Sequence, residues 1–158
     1  MQIARLTCAT ALALVSIAPA AAQTARPQLD YATAATIRDT CLAWAEERDF
    51  TLSVAIYNDA GVLITFAHMD GSATAIAEVA QWKAKSAATY RFPSAVTAEW
   101  GGPGPGMANW GGGIPFVTDD GTFLGGIGVS GARTEDDLAC GLAGIEAAGL
   151  APGNMPSL

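Results

Sequence analysis

The sequence predicts an α+β domain built on an antiparallel sheet. Three observations lead there. Two pairs of apolar runs are each joined by a short polar turn, Asn58-Asp59-Ala60-Gly61 and Asp119-Asp120-Gly121, and strands joined by tight turns run antiparallel. Helical spacing appears before, between and after these pairs, giving the order helix, hairpin, helix, Gly-rich loop, hairpin, helix. The 158 residues suffice for one domain and fall short of two ordinary ones.

The elements follow in chain order. Met1–Arg5 carries one positive charge, Leu6–Ile17 is apolar, and Pro19-Ala20-Ala21-Ala22 offers an A-x-A cleavage site. Residues 1–22 read as a secretory signal peptide, with an apolar run too short to span a bilayer. A mature chain starting at Gln23 is therefore expected to be periplasmic or secreted, and to have no membrane attachment after cleavage. Residues 23–29 form a tether, 30–150 the domain, and 151–158 a C-terminal tail expected to be loose. Asp30 is placed to cap a helix from Tyr31 to about Glu47, whose apolar face carries Ala34, Ile37, Cys41 and Trp44. Thr51–Tyr57 and Val62–Met69 form the first hairpin, the second run placing Val62, Ile64, Phe66 and His68 on one face. A helix capped near Ser72 runs from about Thr74 to Thr89, with Ile76, Val79, Lys83 and Tyr90 on its stripe, and Arg91-Phe92-Pro93 stops it. Residues 94–113, with their Gly and Pro clusters, are expected to be irregular. Strands near Ile114–Thr118 and Thr122–Val129 and a helix over Glu135–Ala148 complete the domain.

Charge narrows the partners. The net charge is −7 with no Lys/Arg cluster, which argues against nucleic-acid and anionic-membrane binding. Removing Arg5 with the leader makes the mature chain one unit more acidic still. At 51% hydrophobic and 15% charged residues the chain is not disordered, and so little charge leaves apolar surface for a homo-oligomer contact.

Several motifs fail on inspection. Gly126-Ile127-Gly128-Val129-Ser130-Gly131 matches G-x-G-x-x-G but has no later strand carrying an acidic residue, so its glycines are read as sites of close backbone approach. Gly128–Ala132 narrowly misses G-x-S-x-G. One mature histidine and two isolated mature cysteines give no zinc spacing. Three polar residues stand out instead. His68, at a strand end, reads as a half-exposed strand residue or as an axial haem ligand or pocket acid/base. Lys83 on an apolar stripe either snorkels or anchors a carboxylate. Asp137 opens the last helix, where its charge suits the dipole. Trp100 and Trp110 flank the Gly-rich loop and suit either a flat ligand or a subunit contact.

Five motifs in order now carry a resemblance. They are Phe66-Ala67-His68-Met69-Asp70-Gly71, Ala80-Gln81-Trp82-Lys83-Ala84, Gly111-Gly112-Gly113-Ile114-Pro115, Gly125–Gly131 and Glu135-Asp136-Asp137. Over about residues 29–148 the chain resembles the GlcG/HbpS-like haem-binding (haem-degrading) family. The resemblance implies a single profilin-like α+β domain, a homo-oligomer and a small-molecule ligand, with haem the leading one. His68 becomes the candidate axial ligand to haem iron, although many relatives carry arginine there. Met69, Lys83, Trp110, Gly111, Gly112, Gly113 and Pro115 become candidates around the cofactor, with Lys83 as a propionate partner. The alternative is an enzyme acting on a small carboxylic acid, with Lys83, Asp137 and His68 as its acid/base set and Gly111–Gly113 as backbone donors to an oxyanion. A third reading is an accessory or assembly subunit without its own ligand. The family pattern also bears on the mature cysteines. Plain periodicity turns Cys140 away from the Leu138, Leu142 and Ile145 stripe, whereas the family pattern turns it, with Gly141 and Gly144, toward the first helix. A Cys41–Cys140 disulfide and two buried thiols both stand as outcomes.

Overall fold

The structure is a computed structural model and describes residues 25–102 and 104–155. The predicted signal peptide and the start of the tether lie outside the described residues. The chain forms α1 (Tyr31–Glu46), β1 (Ser53–Asn58), β2 (Leu63–His68), α2 (Thr74–Tyr90), α3 (Ser94–Ala98), β3 (Gly113–Val117), β4 (Phe123–Ser130), α4 (Thr134–Ala147) and β5 (Ala151–Pro152), so the expected elements appear in order with α3 and β5 in addition. The strands form one antiparallel sheet in the order β2-β1-β4-β3-β5. The expected α+β class is what the chain adopts.

The two faces of the sheet are packed differently because the sequence alternates differently on each. Leu52, Val54 and Ile56 of the β1 segment, Ile127 and Val129 of β4, and Ile114 and Phe116 of β3 bury their side chains in the core beneath α1 and α4. The opposite face of β4 carries Gly126 and Gly128. A Cβ at Gly126 would lie 2.6 Å from the Ala88 amide nitrogen, and one at Gly128 would collide with the Ala80 carbonyl oxygen. Helix α2 therefore lies with its backbone directly on the strand, and this contact accounts for the G-x-G pattern. It also corrects the predicted α2 stripe. The buried face is Ala80, Lys83, Ala84, Ser86, Ala87 and Ala88, while Ile76, Val79 and Tyr90 are only half-buried, because a helix this close to a strand has room only for small side chains.

Helix α1 starts where expected, with the Asp30 carboxylate accepting the Thr33 amide hydrogen at 2.7 Å. At α2 the expected cap is absent: Ala73 occupies the N-cap position, and the Ser72 hydroxyl turns back toward the Leu52 carbonyl. On the other side of the sheet α1 and α4 pack closely, since a Cβ at Gly144 would collide with the Ile37 carbonyl oxygen. Cys41 and Cys140 meet in this seam with Cα atoms 4.7 Å apart and are joined as a disulfide, which resolves the two outcomes left open by the sequence.

Two segments are more ordered than expected. The irregular stretch opens with the short helix α3 after Pro93, and buried hydroxyls pin the rest. Ser86 Oγ accepts the Ala108 N–H, Thr97 Oγ1 donates to the Ala108 carbonyl, and Ser94 Oγ donates to the Trp110 carbonyl at 2.6 Å. The tail expected to be loose instead supplies β5, where Ala151–Pro152 pairs with β3 and the Gly153 N–H donates to the Pro115 carbonyl.

Candidate functional site

Lys83 and Asp137 come from different layers and meet past the start of β3. Both are 2% exposed. Gly112 makes the meeting possible: with φ +110 and no side chain, it leaves the space in which the ammonium group sits, since a Cβ there would lie 2.9 Å from Lys83 Nζ and 3.1 Å from Asp137 Cβ. Lys83 Nζ donates to Asp137 Oδ2 at 2.9 Å, to the Val129 carbonyl at 2.8 Å and to Ser130 Oγ at 3.4 Å. Asp137 Oδ1 accepts the Ala132 N–H at 3.1 Å. Burial pushes the Asp137 carboxyl above its usual range, against the opposing pull of Lys83 and of that N–H. All three ammonium hydrogens have partners, so the cluster ties α2, β4 and α4 together and leaves Lys83 no hydrogen for a propionate.

A cavity of about 210 Å³ opens beside the cluster, lined by Ile76, Trp110, Thr134 and the Ser130–Ala132 turn as well as the ion pair. The Trp110 ring is its exposed wall, 60% accessible and centred 6.0 Å from Lys83 Nζ. This volume lies below the about 300–1,000 Å³ of pockets that enclose a drug-sized ligand, so a haem macrocycle does not fit inside it.

His68 sits elsewhere on the same sheet face. It ends the edge strand β2 and pairs in register with Ser53 of β1, which pairs in turn with Ser130 of β4. Ser53 is fully buried, and its Oγ lies 2.7 Å from His68 Nδ1. When Nδ1–H donates to this oxygen, the Nε2 lone pair is free and directed away from β1. The ring is exposed and does not line the Trp110 cavity. The next residue, Met69, is half-buried against the core and bonds through its N–H to the Leu52 carbonyl.

The structure thus gathers the predicted residues into three groups. Lys83, Asp137 and Trp110 share one cavity. His68 and Met69 stand at the end of β2, so His68 does not join Lys83 and Asp137 in one acid/base set. Gly111, Gly112, Gly113 and Pro115 are buried packing positions. A Cβ at Gly111 would strike the Thr134 methyl group and one at Gly113 would lie 2.5 Å from the Lys83 carbonyl oxygen. The Gly113 N–H already donates to Ser94 Oγ at 2.8 Å and is not open to an oxyanion. Ser53 is the residue the sequence reading missed. Its only signal was a small polar residue alternating with Leu52 and Val54 opposite the end of the return strand. Among the described residues, no group of three or more His, Cys, Asp or Glu side chains is arranged around a metal position.

Comparison with known proteins gives the family and the fold. A family model for HbpS-like haem-degrading proteins matches residues 29–146. The chain belongs to the HbpS-like family. Its fold superposes on the crystal structure of HbpS with a TM-score of 0.73 and 27% identity, over 82% of this chain and 96% of that one. A double mutant of Streptomyces reticuli HbpS matches with a TM-score of 0.69 and 25% identity, over 84% and 95%. The crystal structure of a PduOC–haem complex shares the fold at a TM-score of 0.72 and 20% identity, over 79% and 98%. No curated protein sequence matches the chain. These likenesses establish the HbpS-like fold and place haem binding among the relatives.

Proposed function

We propose that this HbpS-like chain is an exported haem-binding protein and that His68 Nε2 is an axial ligand to the haem iron. The observation that carries the proposal is the 2.7 Å contact between Ser53 Oγ and His68 Nδ1. Metal-binding histidines characteristically hold their second ring nitrogen in a hydrogen bond, which fixes the tautomer and aims the ligating nitrogen. Here the partner is a fully buried hydroxyl on an interior strand, while His68 itself is an exposed residue. Bound haem supplies a redox-active iron and a flat apolar surface. The protein's part is to hold the imidazole in one orientation, and haem takes the tautomer in which Nδ1–H donates to Ser53 Oγ and Nε2 is unprotonated.

Two further observations support export and assembly. A disulfide between Cys41 and Cys140 belongs in an oxidising compartment, in agreement with the leader-like residues 1–22. Exposed Tyr31, Val62, Leu63, Trp100 and Trp110 give the domain apolar surface suited to a homo-oligomer contact. Titration of the mature chain with haemin tests the ligand assignment. A Soret shift is expected, lost in His68→Ala and weakened about 10- to 100-fold in Ser53→Ala, with little change in the melting temperature of His68→Ala. An unaltered titration of His68→Ala would remove the assignment.

A further inference from the structure

A second cavity, of about 390 Å³, lies at the opposite end of the domain, where α2 ends beside the β3–β4 turn and β5. Arg91 and Asn154 stand on its rim, and both have left-handed backbones, with φ of 62° and 50°. Only one other non-glycine residue among those described, Asp49, has positive φ. Asparagine tolerates this conformation, whereas arginine is strained in it, and strained side-chain-bearing residues gather where the side chain has a task. The two are also linked, since Asn154 Nδ2 donates to the Arg91 carbonyl at 2.7 Å. The Arg91 guanidinium lies over the Phe123 ring, 4.8 Å from its centroid, and forms no ion pair among the described residues. Phe123, Val117 and Pro152 supply the apolar wall.

A guanidinium fork is shaped for a carboxylate, and a charge held against an aromatic face keeps its N–H edge open for one. The apolar wall takes a hydrocarbon body. The cavity wall offers one cation, Arg91, and the exposed carboxylates of Asp119 and Asp120 in the turn before Gly121 oppose an anion in proportion to its charge, so one carboxylate is favoured over two. The Asp120 carboxyl is held below its usual range by hydrogen bonds from Thr118 and Thr122 and stays ionised. We propose that the Arg91 cavity binds a small monocarboxylate with an apolar body, of the benzoate type, independently of His68 and of haem.

Calorimetric titration of the full chain with benzoate, phthalate and benzyl alcohol tests this. Benzoate is expected to bind with a Kd of about 1 mM or below. Phthalate and benzyl alcohol are expected to bind at least about tenfold more weakly, since the first adds a charge and the second lacks one. Arg91→Gly relieves the left-handed strain while removing the guanidinium. It is expected to lose benzoate binding with a melting temperature equal to or above that of the parent. Arg91→Gln keeps the backbone strain and removes the charge, and it too is expected to lose binding. Absence of benzoate binding to the parent, equal affinity for benzyl alcohol, or benzoate binding retained by either variant would overturn the proposal.

Discussion

Replacing Cys41 and Cys140 together by alanine removes the covalent link between α1 and α4, and its cost can be estimated from the chain. The two residues are 99 positions apart, so the bridge closes nearly the whole domain into one loop. In the chain-entropy model a loop of about 100 residues restrains the unfolded ensemble by about 4.7 kcal/mol at 25 °C. The substitution also removes two sulfur atoms that are fully buried in the main core, which adds a smaller packing loss of about 1 kcal/mol. A total of about 5–6 kcal/mol is comparable to the whole stability of many domains. Urea unfolding followed by tryptophan fluorescence, without reductant, measures it directly. The double variant is expected to unfold at a much lower midpoint and with a steeper dependence on urea, because its unfolded state is freed of the loop. The parent in excess reductant should lose the entropic part of this stability as well. A difference below about 1 kcal/mol, or two titratable thiols in the denatured, unreduced parent, would refute the reasoning.

Other predictions concern the ion pair and the glycine contact. Lys83→Met alone leaves the Asp137 carboxylate buried without its partner and is expected to cost about 3–5 kcal/mol, whereas Lys83→Met combined with Asp137→Leu should recover most of that loss; denaturant melts of the three proteins decide this. Because burial raises the Asp137 pKa above 3.8, its contribution to stability is full below that pH and is lost as pH rises through the folded-state value. Asp137→Asn should therefore flatten this part of the stability–pH curve, read by melts in steps of half a pH unit. Gly128→Ala places a methyl group against the Ala80 carbonyl of α2, and a loss of at least about 3 kcal/mol or failure to fold is expected, checked by soluble yield and thermal unfolding.

The sequence made the order of elements legible because its signals are local. Asp30 before an apolar face, turn residues between alternating runs, and an acidic first turn on α4 all act within a few residues. The parts it concealed depend on register. Ser53 became meaningful only once β1 and β2 paired so that it faced His68, and neighbours on adjacent strands are distant in sequence. The buried face of α2 departs from the expected stripe because hydrophobic spacing seeks large residues, whereas a helix resting on Gly126 and Gly128 buries mostly small ones. Lys83 stands out in the sequence as a lysine on an apolar stripe, but its three partners come from residues 46 to 54 positions away, so its role as an interlayer tie is not visible there. Gly111–Gly113 carried a glycine signal that fits ligand contact and helix packing equally, and only the positions of Thr134, Lys83 and Ser94 distinguish them. The strand made by Ala151–Pro152 was hidden because a proline there still leaves carbonyls and the Gly153 N–H to pair at a sheet edge.

His68 is the chain's only histidine, which makes the axial-ligand assignment directly measurable. Protein grown with ¹⁵N-histidine in an otherwise natural-abundance background, loaded with ferric haemin, can be examined by pulsed electron paramagnetic resonance. Strong hyperfine coupling from one ¹⁵N nucleus, altered or lost when Ser53 is replaced by alanine, is the predicted result. A haem-loaded protein showing no ¹⁵N coupling would contradict it.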